Sequence, residues 1–67
     1  PEIQRRILAA LAELPARQRE VFVLRHWHGC STAETAALLE LDEGTVKSHL
    51  ARAVRGLRRR LVEFGEP

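Results

Sequence analysis

Apolar residues recur at helical spacing along most of this chain, and nowhere do they alternate as a strand requires. Ile3, Ile7, Ala10, Leu11 and Leu14 mark one face of a first helix over residues 2–13. Pro15 stops it, because the residue before a proline is pushed out of the helical region, and proline also suits the start of the next helix. A second helix is predicted over residues 16–28, with Val21 and Leu24 on one side and Gly29 as its C-terminal stop. Phe22, Val23 and Trp27 fall on other faces of that cylinder, so it is apolar nearly all round. Such a helix is buried on several sides or holds a surface for a partner.

Ser31 opens a third helix over residues 32–39, and Ser-Thr-Ala-Glu has the form of a capping box. Ala36 and Leu39 face inward, with Ala36 small enough to let another helix cross closely. Glu40 and Leu41 make a short turn, and Asp42 caps a fourth helix over residues 43–62. In that helix Val46, Leu50, Ala53, Leu57 and Leu61 form one apolar stripe, opposite Gly44, Ser48, Ala51, Arg52, Arg55 and Arg59. Residues 62–67, with two helix breakers and little apolar surface, are expected to fray. Helix, short turn, helix at the C-terminal end is the helix-turn-helix unit, so the predicted fold is an all-α, four-helix domain.

Sixty-seven residues make one small domain, which buries only about 60% of its unfolded surface. Charged residues at 30% and the lack of a long apolar run argue against a membrane span. No signal-peptide pattern opens the chain, so a cytoplasmic location is expected. The single cysteine, Cys30, rules out an internal disulfide framework.

Net charge is only +2, but its distribution is uneven. Every acid of the first 62 residues lies at or before Glu43, whereas Lys47, Arg52, Arg55, Arg58, Arg59 and Arg60 follow it. One end of the domain therefore points at a polyanion. Small residues beside arginines on the outside of a firmly anchored helix suit a DNA major groove. The plainer alternative is an arginine-rich helix that is merely well solvated.

These motifs together resemble region 4 of a bacterial RNA polymerase sigma factor of the extracytoplasmic-function type. The likeness rests on Leu14-Pro15, Arg19 through Leu24, Gly29-Cys30-Ser31, Ala33 through Ala36, Gly44 through Ser48, Arg52-Ala53, Leu57 and Leu61, within residues 8–61. It implies a recognition helix docked on the promoter −35 element of double-stranded DNA, and a second surface gripping the flap of the polymerase β subunit. It also implies that an anti-sigma factor can cover the domain, and that a separate region reading the −10 element is absent, so that the chain is a fragment. Three positions depart from the family pattern. Thr35 stands where isoleucine is usual, Glu40 where glycine is common, and His49 where arginine is common. A neutral histidine at 49 drops one phosphate contact and adds weak pH sensitivity.

Gly44, Ser48, Ala51 and Arg52 are the candidates for base-edge contact. Arg52 can fork onto a guanine, worth roughly 1–3 kcal/mol of discrimination; otherwise it touches phosphate or forms an ion pair. Ser31, Thr32, Thr45, Lys47, His49 and Arg55 are candidates for phosphate contact, which sets register without reading sequence. For Ser31 and Thr32 pure capping is the competing role. Arg58, Arg59 and Arg60 read as solvated or non-specific. Phe22, Val23 and Trp27 are the candidate partner surface, against the slightly favoured alternative of a buried tryptophan.

His26, His28 and Cys30 form an H-x-H-x-C string, but alternate helical positions point roughly 200° apart, so no metal is expected there. Cys30 is expected to fill the gap between second and third helices. No glycine-rich phosphate loop or nucleophile–base pair is visible, so neither an enzyme nor a cofactor is expected. Two other readings remain: a response-regulator output domain of the LuxR/NarL type, which shares the Thr45-Val46-Lys47-x-His49 pattern, and a helical module whose partner is an anti-sigma factor.

Overall fold

A computed structural model describes the backbone of residues 1–65 and the side chains of residues 1–62. The domain is all-α. Helix α1 spans Glu2–Glu13, α2 spans Ala16–Phe22, α3 spans Thr32–Leu39 and α4 spans Glu43–Gly65. Between α2 and α3 the chain continues for five residues, Val23–Trp27, as a π-helical turn.

Helix α4 is the spine. Its 23 residues span about 34 Å at the usual rise, most of the 38 Å length of the molecule. Helices α1, α2 and α3 all pack against it. Its apolar stripe serves two cores. Val46 meets Val21 and Ala36, with Leu39, Leu41 and Leu50 around them. Two to three turns later, Ala53 and Leu57 meet Ala10, Leu11 and Leu14, with Ile7, Phe22 and Leu61 around them. The first core holds the helix-turn-helix together; the second ties its long helix to α1. Removing either side of the stripe leaves half the helix without an apolar partner.

Local signals explain the joints. Leu14 is extended (φ −71°, ψ 150°), as a residue preceding Pro15 must be. Arg19 Nη1 donates to the carbonyl of Leu14 at 3.0 Å, covering an end of α1 that has no basic residue of its own. Gly29 takes φ 73°, and the N–H of Cys30 reaches the carbonyl of Leu24 at 2.9 Å. That contact spans six residues where a Schellman closure spans five, because it closes the wider π turn, and the left-handed glycine permits it.

Several expectations change. The segment after Phe22 is π- rather than α-helical, with the N–H of His28 donating to the carbonyl of Val23 at 3.0 Å. An i→i+5 ladder turns less per residue than an α-helix. Positions after Phe22 therefore leave the faces that a 100° wheel assigns them. Trp27, for which burial was slightly favoured, is 70% exposed. Phe22, expected on the partner surface, instead packs against the α1–α4 core. Ile3 is 71% exposed although it shares the α1 stripe. Helix α4 continues to Gly65, past the expected end at 62; Glu66 and Pro67 lie outside the described residues.

Candidate nucleic-acid interface

The turn between α3 and α4 sets the angle at which α4 is presented. Glu40 sits in the left-handed region (φ 59°, ψ 44°), and its N–H closes on Ala36 and Ala37 carbonyls. The backbone thus keeps the conformation that glycine would supply freely, although a glutamate occupies it. Leu41 then donates from its N–H to the carbonyl of Ala36 at 2.9 Å and packs into the core of Val21, Ala36 and Val46.

Asp42 starts α4. Its Oδ1 accepts from the backbone N–H of Thr45 at 2.7 Å. That bond, helped by the Thr45 side chain, holds the Asp42 carboxyl below its ordinary value, because hydrogen bonds to the charged form favour it. Gly44 lies directly over this cap: a Cβ there would stand 3.3 Å from Asp42 Oδ1. The small residue leaves the first turn bare on its outer side.

From that cap outward, Gly44, Lys47, Ser48, Ala51, Arg52, Arg55, Arg58 and Arg59 are all exposed. Thr45 and His49 are half-buried at the edges of this face. His49 Nδ1 is buried without a hydrogen-bond partner, so that only the outer part of its ring is available to a ligand.

Apart from exposed Arg5 of α1, the arginines divide into two sets. Arg6 pairs with Glu2, Arg17 with Glu20 and Arg60 with Glu13, while Arg25 donates to the carbonyl of Cys30 at 2.6 Å and Arg19 caps α1. Arg60 was expected to be solvated; it reaches α1 instead, because one turn past Leu57 the two helices are still in contact. Among the described residues, no ion pair or side-chain hydrogen bond engages Arg52, Arg55, Arg58 or Arg59. Four guanidinium groups that no described residue engages therefore line one side of α4. Three of the four, Arg52, Arg55 and Arg59, also border an open cavity of about 310 Å³ together with Gln18 of α2. Gln18 lies 34 positions from Arg52 along the chain, and no local pattern joins them.

Ser31 and Thr32 stand at the start of α3. The Ser31 hydroxyl accepts from the Glu34 N–H at 3.0 Å, and the Ser31 N–H donates to the Glu34 carboxylate at 2.7 Å. This closed box commits Ser31 to capping and puts a negative charge where a phosphate would approach. Thr32 is half-buried beside it.

A second surface lies on the other side of α3. Val23 and Leu24 of the π turn, with Leu39, line a shallow apolar cavity of about 340 Å³. Leu38, 64% exposed, borders the neighbouring depression with His28 and Cys30. Val23 thus lines the first depression, whereas Trp27, exposed at the end of the π turn, lines neither; Leu38 and Leu39 join this surface unanticipated. Both were legible as apolar positions, but not as neighbours of the π turn. His26 and His28 are exposed, and among the described residues no group of three or more potential metal ligands converges. Among the same residues, no helix is long and apolar enough to cross a membrane.

Residues 4–57 match the family model described as Sigma-70, region 4. The chain is 52% identical over 56 residues to the RNA polymerase sigma-E factor of Streptomyces coelicolor, covering 84% of this chain and 32% of that protein. It is 49% identical over 59 residues to the ECF RNA polymerase sigma factor SigL of Mycobacterium tuberculosis, covering 88% of this chain and 33% of that protein. With SigM of the same organism the identity is 48% over 52 residues, covering 78% of this chain and 26% of that protein. The chain thus spans about a quarter to a third of the length of these relatives.

Proposed function

The chain belongs to the sigma-70 region 4 family, of the extracytoplasmic-function type, and on that premise we propose that its α3–α4 unit binds the promoter −35 element within RNA polymerase holoenzyme. The observation that carries this reading is the uncommitted arginine face of α4, exposed along its length while the leucines behind it are covered. A helix anchored on one side and basic on the other can enter a groove about 12 Å wide without exposing its core.

The roles follow from position. Gly44, Ser48 and Ala51 let the backbone approach the base edges, and Arg52 supplies the fork for a guanine. Thr45, Lys47 and Arg55 flank them toward the strands and hold phosphates. Thr32 and the exposed edge of His49 add weaker backbone contacts. Released counterions supply most of the affinity and base contacts most of the selectivity.

The apolar surface of Val23, Leu24 and Leu39, with exposed Leu38 in the neighbouring depression and exposed Trp27 at the end of the π turn, is the surface that docks on the β flap of polymerase core. An anti-sigma factor would compete for it. Exposed apolar residues beside a preformed groove are what an incoming amphipathic helix needs.

Titrating promoter DNA at rising salt tests the first part: affinity should fall steeply, with a log–log slope of about −0.9 per phosphate held. Affinity indifferent to salt would defeat it. A pull-down with the isolated β flap tests the second. Trp27→Ala should weaken flap capture and leave DNA affinity unchanged.

A further inference from the structure

The open cavity between the start of α2 and the second half of α4 adjoins the base-reading stretch at Arg52 and extends beyond it. Arg52, Arg55 and Arg59 occupy successive turns of α4 along one wall, and Gln18 faces them from α2. Gly56 adds no side chain between them and is itself buried. Arg60 borders the same space, but its charge is matched by Glu13 at 3.1 Å. Arg55 and Arg59 have no acid within pairing distance among the described residues.

Like charges on successive turns of one helix make the basin electropositive, which favours an anion. The donors are also complementary in kind. Two planar guanidinium forks and one neutral amide can together satisfy the two free oxygens of a phosphodiester, which accepts but does not donate.

Distance along the helix assigns the source of the phosphate. From Ser48 to Arg59 is eleven residues, or about 16 Å of rise. That exceeds the roughly 12 Å width of the major groove. With Ser48 over the bases, Arg59 has therefore passed the groove wall and lies outside the strand that borders it. We infer that the basin of Gln18, Arg55 and Arg59 holds a DNA backbone phosphate beyond the base pairs that α4 reads, so that α2 and α4 clamp the flanking strand together. This inference rests on the DNA-binding reading above and adds an anchor from a helix outside the helix-turn-helix.

The test uses the 67-residue chain and a duplex enriched by it from a random pool. Single methylphosphonates, which remove one backbone charge at a time, are placed along both strands. One position outside the bases protected by Ser48 and Arg52 should weaken binding of the unmodified chain severalfold and leave Arg59→Gln unaffected. Arg59→Gln should also lower the salt slope by about one unit, with the same base preference. Gln18→Glu, which brings a carboxylate to the basin, should weaken binding and erase sensitivity at that same phosphate.

Coupling at no phosphate, with sequence preference intact, would overturn the basin and spare the DNA reading. Enrichment of no duplex at all would overturn both. Replacing chloride by inorganic phosphate at constant ionic strength should leave the coupling in place. Its disappearance at low millimolar phosphate would overturn the assignment to DNA and give the basin to a free anion.

Discussion

Gly56 of α4 lies against Leu14 so closely that a Cβ at position 56 would stand 2.8 Å from Leu14 Cδ2. The long helix can approach the end of α1 only because this position has no side chain. Two effects oppose each other in Gly56→Ala. Alanine gains about 1 kcal/mol of helix propensity, but a methyl forced into a closed core costs roughly 1–3 kcal/mol. Leu14 is 3% exposed and packed among Ala10, Leu11, Ala53 and Leu57, so it has little room to yield. The variant should lose about 1 kcal/mol, read as a lower melting temperature by circular dichroism. A variant that melts above the parent would mean that Leu14 moves freely.

Thr35 is fully buried, and its hydroxyl has no hydrogen-bond partner. An unpaired buried hydroxyl costs on the order of 1–3 kcal/mol. Thr35→Val keeps the shape and removes the orphan, so it should stabilise the domain by about 1 kcal/mol. Chemical denaturation should show a higher midpoint with an unchanged slope. Destabilisation would imply that the hydroxyl is satisfied after all.

Glu40 holds a left-handed backbone with φ 59°. A residue with a Cβ spends roughly 1–2 kcal/mol there, part of which glycine gives back as entropy of the unfolded chain. Glu40→Gly should therefore gain about 0.5–1 kcal/mol and keep the angle between α3 and α4, so that DNA affinity stays within twofold or so.

Asp42 contributes stability that depends on acidity. Its folded pKa lies below the ordinary 3.8, chiefly because of the Thr45 N–H. The contribution is therefore complete above that ordinary value and is lost as pH falls through the lower, folded one. Asp42→Asn keeps an acceptor for the cap but loses the charge. Melting temperature should fall more steeply on acidification in the parent than in Asp42→Asn, below about pH 4. Parallel curves would remove Asp42 from the account.

Arg52 and Arg58 are both exposed on α4, but Arg52 lies one turn from Ser48, whereas Arg58 lies about 15 Å further along the helix than Ser48. Arg52→Ala should flatten the preference for the selected duplex over a scrambled one, by about 1–3 kcal/mol at one base pair. Arg58→Ala should weaken both duplexes alike, if at all. Identical losses of preference would undo the assignment.

Much of this domain was legible in the order of its residues. Pro15, Gly29, the Ser31–Glu34 box and Asp42 each act within a turn or so of themselves, through φ restriction or a short hydrogen bond, so sequence spacing contains all that is needed. The apolar stripe of α4 is likewise a property of 3.6-residue periodicity, as is the exposed arginine side opposite it. The four-helix all-α architecture and the family both followed from these local signals.

What the chain order withheld depends on which helix lies beneath which. The π turn at Val23–Trp27 changes the faces of a helix that is apolar all round, and nothing in its composition says which face wins. Phe22 goes inward and Trp27 outward because α1 and α4 cover only one side of it. Arg60 is paired while its neighbour Arg59 is not, because Glu13 stands over one side of α4 alone. Gln18 meets Arg52, Arg55 and Arg59 for the same reason. Local hydrogen bonds and periodicity are written in neighbouring residues, whereas burial, pairing and cavities belong to contacts between residues far apart, and these exist only once the helices have packed.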